Sequence, residues 1–428
     1  MNAAKPQPCR THAAKLQPCR THAVKLQPCR THAAKLQPCR AVQSERARWG
    51  VALFALLALP LTAAAQPTGF TPLTDFAPGE TYHGVPLGLY PGYQNELTSP
   101  HLAGGLHAAL QIAPRDPNGV PDPAGRIVLL SIGMSNTSQE SGAFQTVLTG
   151  YADRNPRLLF VNGAQGGQTA AIIQDPNAAF WTVIDQRLAA AGVTRAQVQA
   201  VWYKEADSNP TSGWPAYAQT LRDESIRIMN IIQSRYPNIR IAYVSSRIFA
   251  GYATTQLNPE PYAYESAFAM TWLIEAQMTG DPRLNYDPAH GPVRSPFLQW
   301  AAYLWADGTV PRRDGLTWVR EDFGPDGTHP SDQGRRKVAD LLLPLFTENP
   351  TARLWFVKPA LQQLLGDLNG DRRISFDDIN PFVLGLSDPA AFAQQYPGVD
   401  LRRAGDFNRD GRFDFDDING FVDLLASW

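Results

Sequence analysis

Between residues 126 and 346, short and wholly apolar runs alternate with longer segments of helical periodicity, and this alternation limits the folds open to the chain. The runs are Arg126–Ile132 (RIVLLSI), Arg157–Val161 (RLLFV), Val198–Tyr203 (VQAVWY) and Ile239–Val244 (IRIAYV). A continuous apolar run, rather than one alternating with polar residues, suits a strand covered on both faces of a parallel sheet. Helical stretches lie between and after them: Phe180–Ala191, Tyr217–Tyr236 with Leu221, Ile228, Ile231 and Ile232 on one face, and a final segment from Ser331 to Phe346. Strands alternating with helices of this length predict βαβ units and an α/β fold built on an open, doubly wound sheet. In such sheets ligands sit beyond the carboxyl ends of the strands. A length of 428 residues leaves room for two or three domains.

The flanks read differently. Residues 1–43 form a near-perfect decapeptide repeat, CRTHAAKLQP, which holds all four cysteines, Cys9, Cys19, Cys29 and Cys39. Its C-x-x-H spacing with His12, His22 and His32 is compatible with a metal in principle. The unit has no apolar face, however, and is shorter than any solenoid repeat, so the expectation is a disordered or untranslated leader. Arg46 and Arg48 then precede the apolar run Trp49–Leu61 and the triplet Ala63-Ala64-Ala65. A basic start, a short apolar centre and small residues at the end make 44–65 a secretory signal peptide. No Met lies between Met1 and Met134, so the expected start is a non-Met codon near Val42. The mature protein would begin near Gln66, without cysteine and without a membrane span. Residues 66–124, rich in Pro, Gly and aromatics, are expected to be an irregular arm laid over the main domain.

The segments just past the strands carry the candidate chemistry. Gly133-Met134-Ser135-Asn136-Thr137 would present Ser135 at the sheet edge. The loop from Val161 to Thr169 is glycine-rich, and its backbone amides could approach an oxyanion closely. Lys204-Glu205-Ala206-Asp207-Ser208-Asn209 is a dense polar cluster, and Asp326-Gly327-Thr328-His329-Pro330 opens the final helix. A serine hydroxyl is a weak nucleophile until a base takes its proton, and the base needs a carboxylate to fix its tautomer. An Asp three residues before a His can fold back onto Nδ1 and leave Nε2 facing Ser135. The tryptophans in this region are expected to be mainly core residues, and Trp214, in a loop between Gly213 and Pro215, is the best candidate among them for a substrate contact.

The segments SIGMSNTS, VNGAQGGQT and DGTHPS resemble the first, second and fifth sequence blocks of the SGNH (GDSL-like) hydrolases, over about residues 125–348. That family consists of esterases and lipases with a flavodoxin-like, three-layer α/β domain. The resemblance implies Ser135 as nucleophile, His329 as general base and Asp326 as its orienting partner, with the amides of Ser135 and Gly167 donating to the oxyanion. No catalytic cofactor is implied. The third block departs from the family's G-x-N-D, which leaves Asn209 or Lys204 as the alternatives for a further oxyanion donor. Met134 stands where the family more often has an acidic residue.

After an expected connector at 349–365, residues 366–428 hold twelve Asp, six Arg and no Lys. Two segments repeat in register. Asp367, Asn369, Asp371, Ser375 and Asp378, with the carbonyl of Arg373, occupy the oxygen-donor positions of a twelve-residue calcium loop. Asp406, Asn408, Asp410, Asp414 and Asp417, with the carbonyl of Arg412, occupy them again. Each loop runs into an apolar helix, Ile379–Leu386 and Ile418–Leu425. The pair is similar to the dockerin type I module, a small all-α, EF-hand-like domain, which implies two Ca²⁺ ions and a cohesin-type scaffold or cell-surface partner. It departs from that module in Arg372 at the sixth position of the first loop and in the Phe-Asp pairs Phe376-Asp377 and Phe415-Asp416.

The formal net charge of −1 conceals a leader of +9 and a body of −10, of which the tail contributes −6. Binding to nucleic acid rests on Lys and Arg neutralising phosphates, so no such partner is expected. The combined expectation is a secreted serine esterase acting on acetyl or similar groups of polysaccharides and tethered through the tail. The alternatives are a cell-surface binding protein that has lost turnover and an extracellular lipase.

Overall fold

A computed structural model describes residues 67–428; the decapeptide repeat and the signal-like segment lie outside the described residues. The arm contains a small antiparallel hairpin, β1 (Thr81–Tyr82) and β2 (Val85–Pro86), and a helix, α1 (His101–Leu110). No helix was expected here, because the arm is rich in Pro, Gly and aromatics. The structure gives the glycines another purpose. A Cβ at Gly104 would stand 2.3 Å from the Tyr286 hydroxyl, and one at Gly105 would stand 2.8 Å from the Phe297 ring, so two hydrogens let α1 lie close against the domain.

The main sheet has five parallel strands: β3 (Ile127–Gly133), β4 (Leu158–Asn162), β5 (Val198–Lys204), β6 (Ile241–Val244) and β7 (Phe297–Trp300), in the order β4-β3-β5-β6-β7. Its first strand is second from the edge, which is the flavodoxin-like arrangement. All residues of β3 and β5 are buried, as their unbroken apolar runs predict. The last strand, β7, was not among the apolar runs read from the sequence.

Helices cover both faces. Tyr203 meets Ser225 of α5 (Ala216–Arg235), whereas Tyr243 packs its ring against Phe346 of α7 (Asp332–Glu348). The register pairs Tyr203 with Val244, so neighbours along a strand point opposite ways and the two tyrosines reach opposite layers. In one layer α2 (Ser135–Gly150) packs on α7, and α8 (Pro350–Phe356) on α7 and α1. The other layer holds a short α3 (Ala170–Ile173), α4 (Ala179–Ala190), α5 and α6 (Tyr262–Met278), with Arg235 of α5 paired to Asp185 of α4. Helix α6 is apolar almost all round and buried among its neighbours, which is why no one-sided stripe marked it in the sequence.

The tail folds as two loop-and-helix units. α9 (Ile379–Ser387) follows the first loop and α12 (Ile418–Ser427) follows the second, with α10 (Pro389–Gln395) and α11 (Leu401–Gly405) between them. Phe382 and Phe421, one from each unit, stack at 4.4 Å in a small core with Leu368, Phe392 and Ala404. The tail also joins the main core through Leu364, Leu365, Ile374 and Leu424. Trp428 stacks on His107 of α1 at 3.8 Å, and Arg409 pairs with Glu96 of the arm. Among the described residues no helix is long and apolar enough to cross a membrane.

Candidate active site

Ser135 is the first residue of α2, two positions beyond the end of β3. The turn is tight: a Cβ at Gly133 would stand 2.3 Å from the Lys204 carbonyl oxygen. The first amides of a helix have no intrahelical acceptor, so the Ser135 N–H stays available beside its own hydroxyl. The glycine-rich loop runs alongside. Gln165 N donates to Gly133 O at 2.9 Å, and a Cβ at Gly166 would stand 3.8 Å from that of Ser135. Gly167 follows directly, and among the described residues its amide makes no hydrogen bond.

The base arrives from the far end of the domain. His329 Nε2 lies 2.8 Å from Ser135 Oγ, and His329 Nδ1 lies 2.5 Å from Asp326 Oδ2. The carboxylate of Asp326 also accepts from the amides of Thr328 at 3.1 Å and His329 at 3.0 Å. Burial by itself would raise this carboxyl, but the hydrogen bonds from the His329 ring and from the two amides outweigh it and hold Asp326 below the usual carboxylate range. The loop bends at Gly327 with φ 65°, where a Cβ would meet the Tyr252 carbonyl oxygen at 1.8 Å, so only glycine fits. The order Oγ, Nε2, Nδ1, carboxylate is the geometry by which a hydroxyl is activated for acyl transfer. The expected nucleophile, base and orienter thus stand together, with the amides of Ser135 and Gly167 on the neighbouring segments.

The third oxyanion donor is a different matter. The Lys204 ammonium is buried and sits 2.6 Å from both oxygens of Glu140 on α2, and no hydrogen bond joins it to Ser135 or Gly167 among the described residues. Asn209 is exposed, with φ 52°, and its amide is tied to Gln256 O at 2.7 Å. No hydrogen bond joins it to Ser135 among the described residues. Trp214 is half-buried and packs edge-on against Tyr82 and Phe268, 5.3 Å from Trp272, so it serves the packing of the arm on α6.

Two groups in this neighbourhood escaped sequence reasoning. Glu205 and Arg247, past the ends of β5 and β6, are 1% and 2% exposed, and Glu205 Oε1 and Arg247 Nε have no partner among the described residues. Burial pushes the Glu205 carboxyl well up. Asn136 was quoted only as part of a motif, yet its Nδ2 donates to Thr328 O at 2.9 Å. Nothing local marks Asn136, because its partner is far away in the chain.

The tail loops have the backbone that an oxygen-liganding loop requires. In the first, Asp367 accepts from the amides of Gly370, Asp371 and Arg372, and Asp378 from those of Leu368, Asn369 and Ser375, at 2.8–3.1 Å. In the second, Asp417 accepts from Phe407, Asn408 and Asp414, and Asp406 from Gly411. Gly370 and Arg372 have φ of 80° and 67°, and Arg409 and Gly411 have 58° and 88°, so both loops take the same turn although glycine sits at a different place in each. Asp406 Oδ1 is buried without a partner among the described residues. Burial raises Asp367, Asp378 and Asp406, and neighbouring carboxylates add to it: Asp378 and Asp371 at Asp367, Asp371 at Asp378, and Asp417 and Asp410 at Asp406. An oxygen-rich set with an orphaned carboxylate oxygen and mutual repulsion fits a hard cation such as Ca²⁺. Among the described residues no three His, Cys, Asp or Glu side chains are gathered on one point, so a cation would have to draw the loop side chains inward.

No family profile matches the chain, and no curated protein matches it. Solved structures do. A protein of Bacteroides fragilis, provisionally described as an acylhydrolase, is 11% identical over 58% of this chain and 96% of its own, with a TM-score of 0.29. The YXIM protein of Bacillus subtilis is 12% identical over 53% of this chain and 58% of its own, with a TM-score of 0.27. Both likenesses are distant, and the chemistry of the site rests on its own geometry.

Proposed function

We propose that this chain is a secreted serine hydrolase of carboxylic esters, and that its substrates are acetyl or similar short acyl groups on polysaccharides. The observation that carries the reaction class is the continuous path from Ser135 Oγ through the His329 ring to Asp326. Ser135 Oγ attacks the ester carbonyl carbon as His329 Nε2 takes its proton, and Asp326 stabilises the imidazolium. The amides of Ser135 and Gly167 receive the oxyanion. The carbonyl–alkoxy bond then breaks, the alcohol leaves with the proton from His329, and an acyl group remains on Ser135. A water deprotonated by His329 attacks that acyl carbon, the bond to Ser135 Oγ breaks as Oγ takes the proton back from His329, and the carboxylic acid leaves.

The tail supplies the tether in this reading. Ca²⁺ would be held in the first loop by Asp367, Asn369, Asp371, Ser375, Asp378 and the carbonyl of Arg373. In the second it would be held by Asp406, Asn408, Asp410, Asp414, Asp417 and the carbonyl of Arg412. The ion would neutralise the loop carboxylates. Phe376 and Phe415 are 78% and 72% exposed, and Ile379, Val383, Ile418 and Val422 repeat around them in matching positions. A doubled apolar patch of this kind supports a cohesin-like protein partner.

Fluorophosphonate labelling of the mature protein is the test: an adduct on Ser135, and loss of acetyl ester hydrolysis in Ser135→Ala, are expected. Labelling with negligible turnover would favour instead a binding protein, a reading supported by the engagement of Lys204 with Glu140 and the exposure of Asn209. Faster hydrolysis of long-chain than of acetyl nitrophenyl esters would favour a lipase.

A further inference from the structure

Ser135 and His329 are 194 positions apart in the chain, so the 2.8 Å between Oγ and Nε2 must be set by contacts other than their own. Asp326 orients the ring, and Thr254 N holds the base loop through Asp326 O at 3.0 Å, but neither touches the nucleophile turn. Apart from the Ser135–His329 contact, one side-chain hydrogen bond among the described residues joins the two segments: Asn136 Nδ2 to Thr328 O, at 2.9 Å. It connects the residue after the nucleophile to the residue before the base. Asn136 is 2% and Thr328 is 2% exposed, so water does not compete for the bond, and no other donor reaches Thr328 O among the described residues. The strap is anchored on a fixed body. Thr137 Oγ1 donates to Lys204 O at 2.8 Å, and the Lys204 ammonium grips Glu140 one turn further on, so the first turn of α2 is braced to β5.

We propose that Asn136 is a positioning residue, whose amide sets the distance between Ser135 and His329 by holding the base loop through the Thr328 carbonyl. This rests on the hydrolase reading above. The bond restrains translation of the loop, while the ring's orientation comes from Asp326, so the two functions separate. Loss of the strap lengthens the proton-transfer path without disturbing the Asp326–His329 contact.

Asn136→Asp is the informative variant. It keeps the shape, is favourable in the first turn of a helix, and replaces the donor with an oxygen that faces a carbonyl oxygen. Asn136→Ala is the companion. For both, kcat on acetyl esters should fall about tenfold to a hundredfold, the usual effect of a misplacement near 1 Å, with KM within about twofold. The fluorophosphonate labelling rate should fall in parallel. A merely structural role would lower the thermal midpoint and leave the kcat of the folded fraction intact, and that pattern would overturn the proposal. Equal labelling rates in wild type and both variants would also overturn it. No Ser135 labelling in the wild type would instead overturn the hydrolase reading on which it stands.

Discussion

The Lys204 ammonium lies 2.6 Å from both oxygens of the Glu140 carboxylate, with the two side chains 1% and 0% exposed. Burial pulls the lysine down to about 8, against the attraction of Glu140. The pair joins the end of β5 to the second turn of α2 and lies beneath the nucleophile turn.

Removing either partner should therefore be costly, because the other is left charged and unpaired in the interior. Lys204→Met and Glu140→Leu are each expected to lose about 3–5 kcal/mol, and the double variant should recover most of it. Urea unfolding of the four proteins checks this. Additive losses in the double variant would mean that the ions do not act as a pair.

Stability should decline with rising pH because of Glu224. Burial first, and then the hydrogen bond and charge of Asp207, push its carboxyl up to about 8, against Arg227 and Gln174. A raised folded value means that the contribution is fully present below the unfolded value, near 4.3 for Glu, and is lost as pH rises through about 8. Glu224→Gln removes the proton requirement and should flatten the fall in thermal midpoint between pH 5 and pH 8, by calorimetry. An unchanged pH profile in the variant would place the titration elsewhere.

Calcium is expected to stabilise the whole described chain rather than the tail alone, because Leu364, Leu365, Ile374 and Leu424 share the main core and Trp428 stacks on His107. At free calcium about a hundredfold above its dissociation constant the gain is about 2.7 kcal/mol, a rise of several degrees in the main transition. Calorimetry in calcium and in chelator measures it. In Trp428→Ala the calcium-dependent rise should shrink while calcium binding persists. Binding without any shift of the main transition would refute the coupling.

The strands β3, β4 and β5, the helices α4, α5 and α7 and the doubled tail loops were all legible in the sequence, because each is defined by a local pattern: an unbroken apolar run, a 3.6-residue stripe, a recurring register of oxygen donors. Ser135, Asp326 and His329 were legible for a related reason, since each sits in a short polar segment just past a strand or before a helix. Other features depend on partners distant in sequence. Helix α1 was hidden in an arm rich in Pro, Gly and aromatics, and only Tyr286 and Phe297 show why Gly104 and Gly105 are small. Lys204 stood as one alternative for an oxyanion donor, and its pairing with Glu140, 64 positions away, is visible only in the fold. Asn136 carried no signal until Thr328 stood opposite its amide. Local pattern records what a residue can do; which group it does it with is decided where distant segments close around a dry interior, where every buried donor and charge needs a partner.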